Sequence, residues 1–253
     1  MRLASLWPGR AARSQREERL PVGHRVYAIG DIHGCNALLV RLLDAIARDI
    51  VANPAAHVTL VYLGDYIDRG PQSADVISLV AQPLKGVDET IRLKGNHEEM
   101  LERFLADPSY GSAWRQFGGL ATLASYGVDV RAVQAGRDYD MAARALFQAM
   151  PASHSALVEA LTYSYVKGGY FFCHAGVRPG VALEQQQPSD LCWIRHEFLA
   201  STEKFGKVVV HGHSPVESPE VLPNRINVDT GAYATGKLSC AVLEGDSVEF
   251  LQT

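Results

Sequence analysis

Short apolar runs and amphipathic segments alternate along the chain. Residues 25–29, 58–63 and 90–93 are apolar or β-branched and too short for helices, which is typical of buried parallel strands. Leucine and isoleucine recur at helical spacing over 38–50, and a second helix is predicted over 71–82, with proline at its start. The order strand, helix, strand predicts a β-α-β unit with parallel strands and a right-handed crossover.

The pattern changes from about residue 99 to 166. Alanine and leucine recur there at helical spacing, interrupted at Pro108 and at several glycines. We predict a helical insertion near the mouth of the sheet rather than a separate domain. A second strand-rich half follows, with strands predicted at 170–173, 207–210, 225–228, 238–243 and 247–251. Residues 23–253 are therefore expected to form one α/β domain built on two packed sheets.

The first 22 residues differ from the rest. They contain five arginines and two glutamates and no sustained apolar period. The apolar segment of a secretory signal is missing, and the likeness to a transit peptide is weak. We predict a disordered basic tail over 1–22.

Composition narrows the classes of function. The chain of 253 residues is 47% hydrophobic and 21% charged, as in ordinary globular proteins. A formal net charge of −4 argues against nucleic acid as a partner, and the apolar runs are too short to span a membrane. The four cysteines show no CxxC spacing, so we expect buried free thiols and a cytoplasmic location. The oligomeric state stays open.

Metal-binding residue types follow several predicted strands. Gly-Asp-Ile-His-Gly (30–34), Gly-Asp-Tyr-Ile-Asp-Arg-Gly (64–70) and Lys-Gly-Asn-His-Glu (94–98) each come directly after a strand. Charged groups at the carboxyl ends of parallel strands lie where α/β sheets build their sites. The candidate metal ligands at these strand ends and at two later ones are Asp31, His33, Asp65, Asn96, His174 and His213.

This donor set indicates two metal ions. Oxygen and nitrogen donors without sulfur suit Mn²⁺, with Fe or Zn²⁺ as alternatives, better than Ca²⁺ or Mg²⁺. Six protein ligands are too many for one ion, whereas two ions about 3.5–4 Å apart share a carboxylate naturally. Asp65, on the central strand, is the best candidate for the bridge. Two divalent ions bring more positive charge than Asp31 and Asp65 offset, and this excess favours a phosphate substrate. The sequence contains no P-loop, which argues against a kinase or ATPase.

Together these motifs resemble the phosphoprotein-phosphatase type of calcineurin-like metallophosphoesterases. The motifs at 30–34, 64–70 and 95–98 are followed, in the family's order, by His-Ala-Gly (174–176) and His-Gly-His-Ser-Pro (211–215). The likeness extends from about residue 25 to the end of the chain, and its details are most similar to bacterial and phage serine/threonine phosphatases. It implies two mixed sheets packed as a β-sandwich and flanked by helices, a four-layer fold with a dinuclear site at the strand ends.

The resemblance also implies roles for single residues. Asp31, His33 and Asp65 would hold one metal ion. The other ion would be held by Asp65, Asn96, His174 and His213. The nucleophile would be a hydroxide bridging the two metals.

The same resemblance makes His97 the general acid, oriented by Asp68. His97 follows a ligand on the same turn, so we expect it not to reach the same ion, and we expect the Asp68 carboxylate to raise the pKa of His97. Arg69 would bind phosphate oxygens, with Arg195 as a second phosphate-binding arginine. Asn96 would also contact the phosphate.

Several nearby residues receive other interpretations. His211 is expected to shape the strand end rather than to bind metal. Glu98 is expected to play a structural role at a helix start. Tyr233 is interpreted equally well as a neighbour of the phosphate or as a packed aromatic.

Three functions fit these residues. The first is a serine/threonine protein phosphatase acting on phosphorylated proteins or small phosphoesters. The alternative is symmetrical hydrolysis of diadenosine tetraphosphate, a close relative in the same family. A metal-binding module without catalysis is least favoured, because every expected position is filled. The second function would need the insertion to grip nucleosides, and its candidates for base stacking are Tyr110, Trp114, Phe117 and Tyr126.

Overall fold

A computed structural model describes residues 20–253, which form ten strands and eleven α-helices. The strands are β1 His24–Ile29, β2 His57–Tyr62, β3 Glu89–Arg92, β4 Ser164–Lys167, β5 Tyr170–Cys173, β6 Val208–His211, β7 Glu220–Val221, β8 Arg225–Asn227, β9 Ser239–Glu244 and β10 Ser247–Gln252. The helices are α1 Asn36–Ala52, α2 Ser73–Val80, α3 Asn96–Ala106, α4 Gly111–Gln116, α5 Gly119–Ser125, α6 Arg131–Gln134, α7 Tyr139–Ala149, α8 Ala152–Glu159, α9 Pro188–Trp193, α10 His196–Leu199 and α11 Ala232–Thr235.

The strands form two mixed sheets of five strands each. The first has the order β10-β9-β1-β2-β3, with β1, β2 and β3 parallel and β9 antiparallel to both β1 and β10. The second has the order β4-β5-β6-β8-β7, with three parallel strands between two antiparallel edges. The predicted α/β fold of two packed mixed sheets is confirmed.

Alternation along the strands produces four layers. Val26 and Ala28 of β1 pack with residues of the second sheet, such as Phe172, in the core of the sandwich. Tyr27 and Ile29 point to the opposite face, where α1, α2 and the insertion helices cover the first sheet. On the far side, α9 and α10 cover the second sheet. Because both faces of the parallel strands are buried, their sequences are continuously apolar.

The predicted insertion is helical from α3 to α8, but its end differs from the prediction. Residues 164–166 belong to β4, where Tyr165 pairs with Phe172 of β5. Of the predicted tail, residues 1–19 lie outside the described part of the chain. Leu20 is buried and donates its N–H to the Gly245 carbonyl at 2.9 Å, so the contact with the sandwich begins before residue 23.

Two further expectations concern the thiols and the helices. The four cysteines are free, with Cys173, Cys192 and Cys240 buried and Cys35 half-buried, as predicted. Within residues 20–253, none of the helices has both the length and the apolar character needed to span a membrane.

Candidate active site

Backbone hydrogen bonds join the loops that follow β1 and β2. The N–H groups of Ile32 and His33 donate to the Asp65 carbonyl at 3.0 and 2.9 Å. In return, the Gly70 N–H donates to the His33 carbonyl at 3.0 Å. A Cβ atom at Gly70 would lie 2.1 Å from that carbonyl oxygen, so the approach requires glycine. The carboxyl ends of the two strands thereby form one connected platform.

Left-handed backbone is concentrated on this platform and its neighbouring loop. Among residues 20–253, six non-glycine residues have positive φ, and five of them belong to the predicted site. Each such residue costs about 1 kcal/mol relative to ordinary backbone. Strain of this kind persists at functional sites, where the surrounding structure enforces it. The five residues are His33, Asp65, Asp68, Arg69 and His213.

A first group of ligand atoms faces one oxygen of Asp65. His33 Nδ1 lies 2.9 Å from the Ile67 carbonyl, which can only accept, so Nδ1 carries the hydrogen and Nε2 presents a lone pair. That Nε2 is 3.5 Å from Asp65 Oδ2, and His97 Nε2 is 3.8 Å from the same oxygen. Burial lowers the pKa of His33 well below its usual value, which keeps this ring neutral.

A second group faces the other oxygen of Asp65. His174 Nδ1 lies 2.9 Å from the Leu63 carbonyl, which again leaves the lone pair on Nε2. Around this Nε2 lie Asp65 Oδ1 at 3.4 Å, His213 Nδ1 at 3.1 Å and Asn96 Oδ1 at 3.0 Å. Burial lowers the pKa of His174 to about 3, so this ring is also neutral.

The two groups fit a pair of cations. In each, lone pairs of neutral imidazoles face carboxylate or amide oxygens, an arrangement that repels itself unless a positive ion lies between the donors. The ligand atoms within each group lie within 4.8 Å of one another, and Asp65 belongs to both. Backbone carbonyls orient two of the histidines from behind, as in metal sites generally. The nitrogen and oxygen donors suit Mn²⁺, Fe or Zn²⁺.

Asp31, a predicted ligand, lies beside these groups rather than within them. Its two carboxylate oxygens each lie 3.1 Å from the His213 backbone nitrogen, which donates to them. Burial raises the pKa of Asp31 well above its usual value, and the nearby Asp229 and Asp65 carboxylates add to the effect. Asp31 therefore occupies a position where a cation would offset several negative charges.

Asp229 is a residue that the sequence reasoning did not assign. It is buried next to Asp31, and its Oδ1 accepts the Gly231 N–H at 2.8 Å. The signal was present, because Asp229-Thr230-Gly231 follows a predicted strand just as the ligand motifs do. It was missed because the family motifs give this aspartate no role.

His97 and Asp68 form a buried pair. His97 Nδ1 lies 2.7 Å from Asp68 Oδ2, and both side chains are fully buried. The ring of His97 packs edge-on to Phe117, with 5.8 Å between ring centroids. His97 Nε2 lies 3.8 Å from Asp65 Oδ2, so it faces the group that contains His33 rather than the group that contains Asn96.

The protonation of His97 and Asp68 differs from the expectation that Asp68 would raise the pKa of His97. Burial lowers the pKa of His97 to about 3, and the positive charges of Arg69 and Arg195 add to the effect. Burial raises the pKa of Asp68 to about 7. Removal from water disfavours the charged form of both partners, and this outweighs the attraction that would favour imidazolium and carboxylate. An added proton is therefore held by the pair as a unit rather than by the ring alone.

Two arginines stand near the mouth of the site. Arg69 is half-buried, and its guanidinium lies over the Tyr233 ring at 4.7 Å. Tyr233 is 44% exposed and also packs edge-on to His33 at 5.3 Å. Arg195, at the junction of α9 and α10, is exposed. Burial is the main cause that lowers the pKa values of His97, His174 and His213, and the positive charge of Arg195 adds to it. The site thus carries positive charge on the side open to solvent.

Glu98 and His211 have structural surroundings. The fully buried Glu98 carboxylate accepts the backbone N–H groups of Asp65, Tyr66 and Gly95 at 2.9, 2.8 and 3.0 Å. His211 packs against Phe198 on the helix-covered side of the second sheet, at 5.0 Å between ring centroids. Among the described residues, neither side chain belongs to the two ligand groups.

The candidates for base stacking differ in accessibility. Trp114 is buried and donates its indole N–H to Asp68 Oδ2 at 2.9 Å. Tyr126 is half-buried, with its hydroxyl 2.9 Å from His154 Nδ1. Phe117 is half-buried beside His97, and Tyr110 is 41% exposed. Trp114 and Tyr126 are thus occupied by packing rather than free to stack.

The fold and the donor groups together define a class of protein. Two packed mixed sheets between helices, with His, Asp and Asn side chains around one shared carboxylate at the strand ends, are the architecture of a metal-dependent phosphoesterase. A family model described as calcineurin-like phosphoesterase matches residues 24–245, and the chain belongs to that family. The family implies divalent metal ions, and the protein is a hydrolase acting on phosphoester bonds.

Two curated relatives that cover most of the chain carry the same name. The chain is 26% identical over 243 residues to the bis(5'-nucleosyl)-tetraphosphatase PrpE [asymmetrical] of Halalkalibacterium halodurans, covering 88% of this chain and 91% of that protein. It is 27% identical over 230 residues to the protein of the same name from Anoxybacillus flavithermus, covering 83% and 87%.

Among solved structures, similarity shows the fold. A candidate diadenosine tetraphosphatase superposes with a TM-score of 0.61 at 22% identity, covering 91% of this chain and 94% of that chain. The cold-active protein-tyrosine phosphatase of a psychrophilic Shewanella superposes with a TM-score of 0.58 at 16% identity, covering 98% and 86%.

Proposed function

We propose that this protein is a metal-dependent hydrolase of dinucleoside tetraphosphates that cleaves them asymmetrically. The observation that carries the proposed hydrolysis is the sharing of Asp65 between two groups of ligand atoms beside two arginines. The substrate is proposed from the names of the curated relatives, which cover most of the chain. Of the functions predicted from sequence, dinucleotide hydrolysis is thus better supported than serine/threonine protein phosphatase, but the relatives' names specify asymmetrical cleavage, whereas the sequence prediction was symmetrical.

The proposed ligands are Asp31, His33 and Asp65 for one ion, with Asn96, His174 and His213 completing the other around Asp65. Bound divalent ions, for which we propose Mn²⁺, would supply Lewis acidity and lower the pKa of an attacking water.

The other residues act on the phosphate chain. Arg69 and Arg195 bind phosphate oxygens, a task for which the planar guanidinium provides a fork of donors. The stacking of Arg69 on Tyr233 orients that fork. The Asn96 side-chain amide, at the first turn of α3, adds a donor to the phosphate. The N-terminus of α3 also favours an anion there.

His97 donates a proton to the leaving oxygen from Nε2, a buried atom with no hydrogen-bond partner among the described residues. When the pair holds its added proton on Asp68, Nδ1 accepts a hydrogen bond from that carboxyl group, and the ring then carries its own hydrogen on Nε2. Asp68 also fixes the orientation of the ring.

A substrate panel tests the proposal. The full chain is treated with chelator, reloaded with Mn²⁺ and given diadenosine tetraphosphate or a phosphoserine peptide in parallel. We expect faster turnover of the dinucleotide, with products that carry unequal numbers of phosphates when separated by chromatography. Two equal products would contradict asymmetrical cleavage, and faster turnover of the phosphopeptide would restore the phosphatase prediction. A lack of metal-dependent turnover on both substrates would favour a binding module.

The cellular location is also proposed. Four free cysteines suit a reducing compartment, and we propose the cytoplasm.

A further inference from the structure

We propose that Trp114 and Thr122, both in the helical insertion, are positioning residues that fix Asp68 and through it the alignment of His97. The inference rests on the proposed role of His97 as the proton donor. It concerns residues far in sequence from the motifs that resemble the family.

The carboxylate of Asp68 is surrounded by donors. Trp114 donates its indole N–H to Oδ2 at 2.9 Å, and Thr122 donates its hydroxyl to Oδ1 at 2.6 Å. His97 Nδ1 faces Oδ2 at 2.7 Å. All four side chains are at most 1% exposed, so water cannot take the place of a missing partner. Both oxygens of Asp68 are therefore committed, which leaves the carboxylate plane a single orientation.

The backbone of Asp68 is held by the same segment. Its N–H donates to Thr122 Oγ1 at 2.9 Å and to Ser73 Oγ at 3.1 Å. Thr122 thus contacts both the backbone and the side chain of a residue with left-handed φ of 71°. One hydroxyl in α5 is well placed to determine where this carboxylate points.

The neighbouring residue is pinned as well. The Arg69 N–H donates to the Gly118 carbonyl at 3.3 Å. A Cβ atom at Gly118 would lie 2.8 Å from the Arg69 nitrogen, so the link between α4 and α5 passes directly against this backbone. The insertion therefore holds the segment that carries both the acid's partner and the phosphate-binding arginine.

Phe117, from the same segment, adds a ring contact to His97. Its ring meets His97 at an interplanar angle of 89°, with 5.8 Å between centroids. A histidine held through Nδ1 on one side and packed against an aromatic ring on the other keeps Nε2 directed at the site. Trp114, Phe117 and Thr122 come from one stretch of chain, so the alignment of His97 depends on the insertion.

Leaving-group dependence separates positioning from general damage. Expulsion of phenolate from phenyl phosphate needs a proton, whereas 2,4-dinitrophenolate leaves readily without one. The test compares kcat on the two substrates for the Mn²⁺-loaded full chain and for its variants Thr122→Val and Trp114→Phe. A positioned general acid contributes about 100- to 10,000-fold, so partial misalignment is expected to cost about 10- to 100-fold on phenyl phosphate and less than about threefold on the dinitrophenyl ester.

Matched variants make the result specific. Thr122→Ser keeps the hydroxyl and should retain the wild-type ratio of the two rates. Thr59→Val removes the same kind of bond as Thr122→Val, from a buried threonine hydroxyl to the Glu89 carboxylate at 3.2 Å, and should leave that ratio unchanged. Thermal unfolding identifies any variant that does not fold, and the two single substitutions test the same carboxylate independently. In protein labelled with ¹⁵N at histidine, the imidazole resonances of His97 should also shift in Thr122→Val and Trp114→Phe.

His97→Ala serves as the reference. If it loses rate mainly on phenyl phosphate and the two variants follow it partly, the inference holds. If His97→Ala is selective while Thr122→Val and Trp114→Phe slow both substrates equally or neither, the positioning role is overturned and the proton donor stands. If His97→Ala slows both substrates equally, the proposed role of His97 fails, and the inference fails with it.

Discussion

At the scale of single residues, the site is held from behind by groups that never touch a substrate. Glu98 is the strongest example, because one buried carboxylate accepts four backbone N–H groups from the loops after β2 and β3. Asp65 is thereby fixed in backbone as well as in side chain. Its own Oδ1 accepts the His97 N–H at 3.1 Å. The two strand ends are cross-linked through a pair of acidic side chains.

Replacing Glu98 by Gln tests this cross-link. The amide keeps one oxygen and turns a second acceptor into a donor that faces backbone N–H groups, so we expect a loss of about 1–3 kcal/mol in the free energy of unfolding. Urea titration measures it. Glu99→Gln is the control, because within residues 20–253 the Glu99 carboxylate bonds only the side chains of Arg103 and Trp193. Equal destabilisation of the two variants would contradict the proposed cross-link.

Asp229→Asn tests the unassigned carboxylate beside Asp31. Removing one of two neighbouring buried acids should raise the melting temperature of the metal-free protein, because repulsion between them is lost. The same change should weaken Mn²⁺ binding by about 10- to 100-fold, since it removes negative charge from the surroundings of the ligands. Differential scanning fluorimetry and a chelator competition measure the two effects. A variant that gained both thermal stability and Mn²⁺ affinity, or lost both, would argue against this placement of Asp229.

The residues that sequence could predict are those that directly follow a strand. His33, Asp65 and His174 were found because the carboxyl ends of parallel strands meet, so spacing from a strand predicts proximity. Trp114 and Thr122 lie 46 and 54 residues from Asp68, on short helices whose packing no periodicity specifies. The protonation of His97 was also beyond sequence, because it depends on burial rather than on the neighbouring carboxylate alone.

At the scale of elements, the chain is tightly packed at the junction of β3 and α3. Gly95 precedes α3, and a Cβ atom there would lie 2.1 Å from Asp65 Oδ1 and 2.4 Å from the Asp65 nitrogen. Both atoms belong to the shared ligand. The helix that carries Asn96 and His97 can therefore approach the platform only through a residue without a side chain.

Gly95→Ala is expected to disrupt the site and lower stability by several kcal/mol, since the clash involves backbone and cannot be relieved by a rotamer change. The matched control is Gly236→Ala, because Gly236 has a positive φ of 71° with open space around it. That control should cost only about 1 kcal/mol. Thermal unfolding of both variants, with Mn²⁺ binding, checks the difference; similar losses would mean that the contact with Asp65 is not critical.

Helices and strands with a strong hydrophobic period could be predicted from sequence. A strand that forms only because a neighbouring strand pairs with it could not. The apolar face of α1 and the continuous apolar runs of β1 and β2 follow directly from hydrophobic spacing. Residues 164–166 were assigned to the insertion, yet they form an edge strand because β5 offers them a free row of backbone groups. Such a strand is specified by its neighbour rather than by its own sequence.

At the scale of the whole molecule, several acidic and histidine side chains are buried together at one edge of the sandwich. Asp31, Asp65, His174 and Asp229 are each at most 2% exposed at the edge of an otherwise apolar core. Burying carboxylates together is unfavourable unless positive charge compensates them. The four-layer architecture is therefore expected to depend on its ions for stability as well as for reaction.

Metal removal tests that dependence. Adding Mn²⁺ to the chelated protein should raise the melting temperature. The gain in the free energy of unfolding should grow with the logarithm of the free ion concentration, reaching about 2.7 kcal/mol for one site at a hundredfold excess over Kd. His174→Ala should abolish most of the shift, because it removes a ligand from the second group. An unchanged melting temperature in the wild-type protein would show that the buried groups are satisfied without metal.

The five left-handed residues of the site have a consequence for the history of such chains. At each of these positions glycine would relieve the backbone, yet a histidine, an aspartate or an arginine stands there. If these side chains are kept for turnover, selection for activity opposes selection for stability at these points. In a descendant that no longer needed the reaction, substitutions should accumulate there first, and glycine should be the residue most often gained.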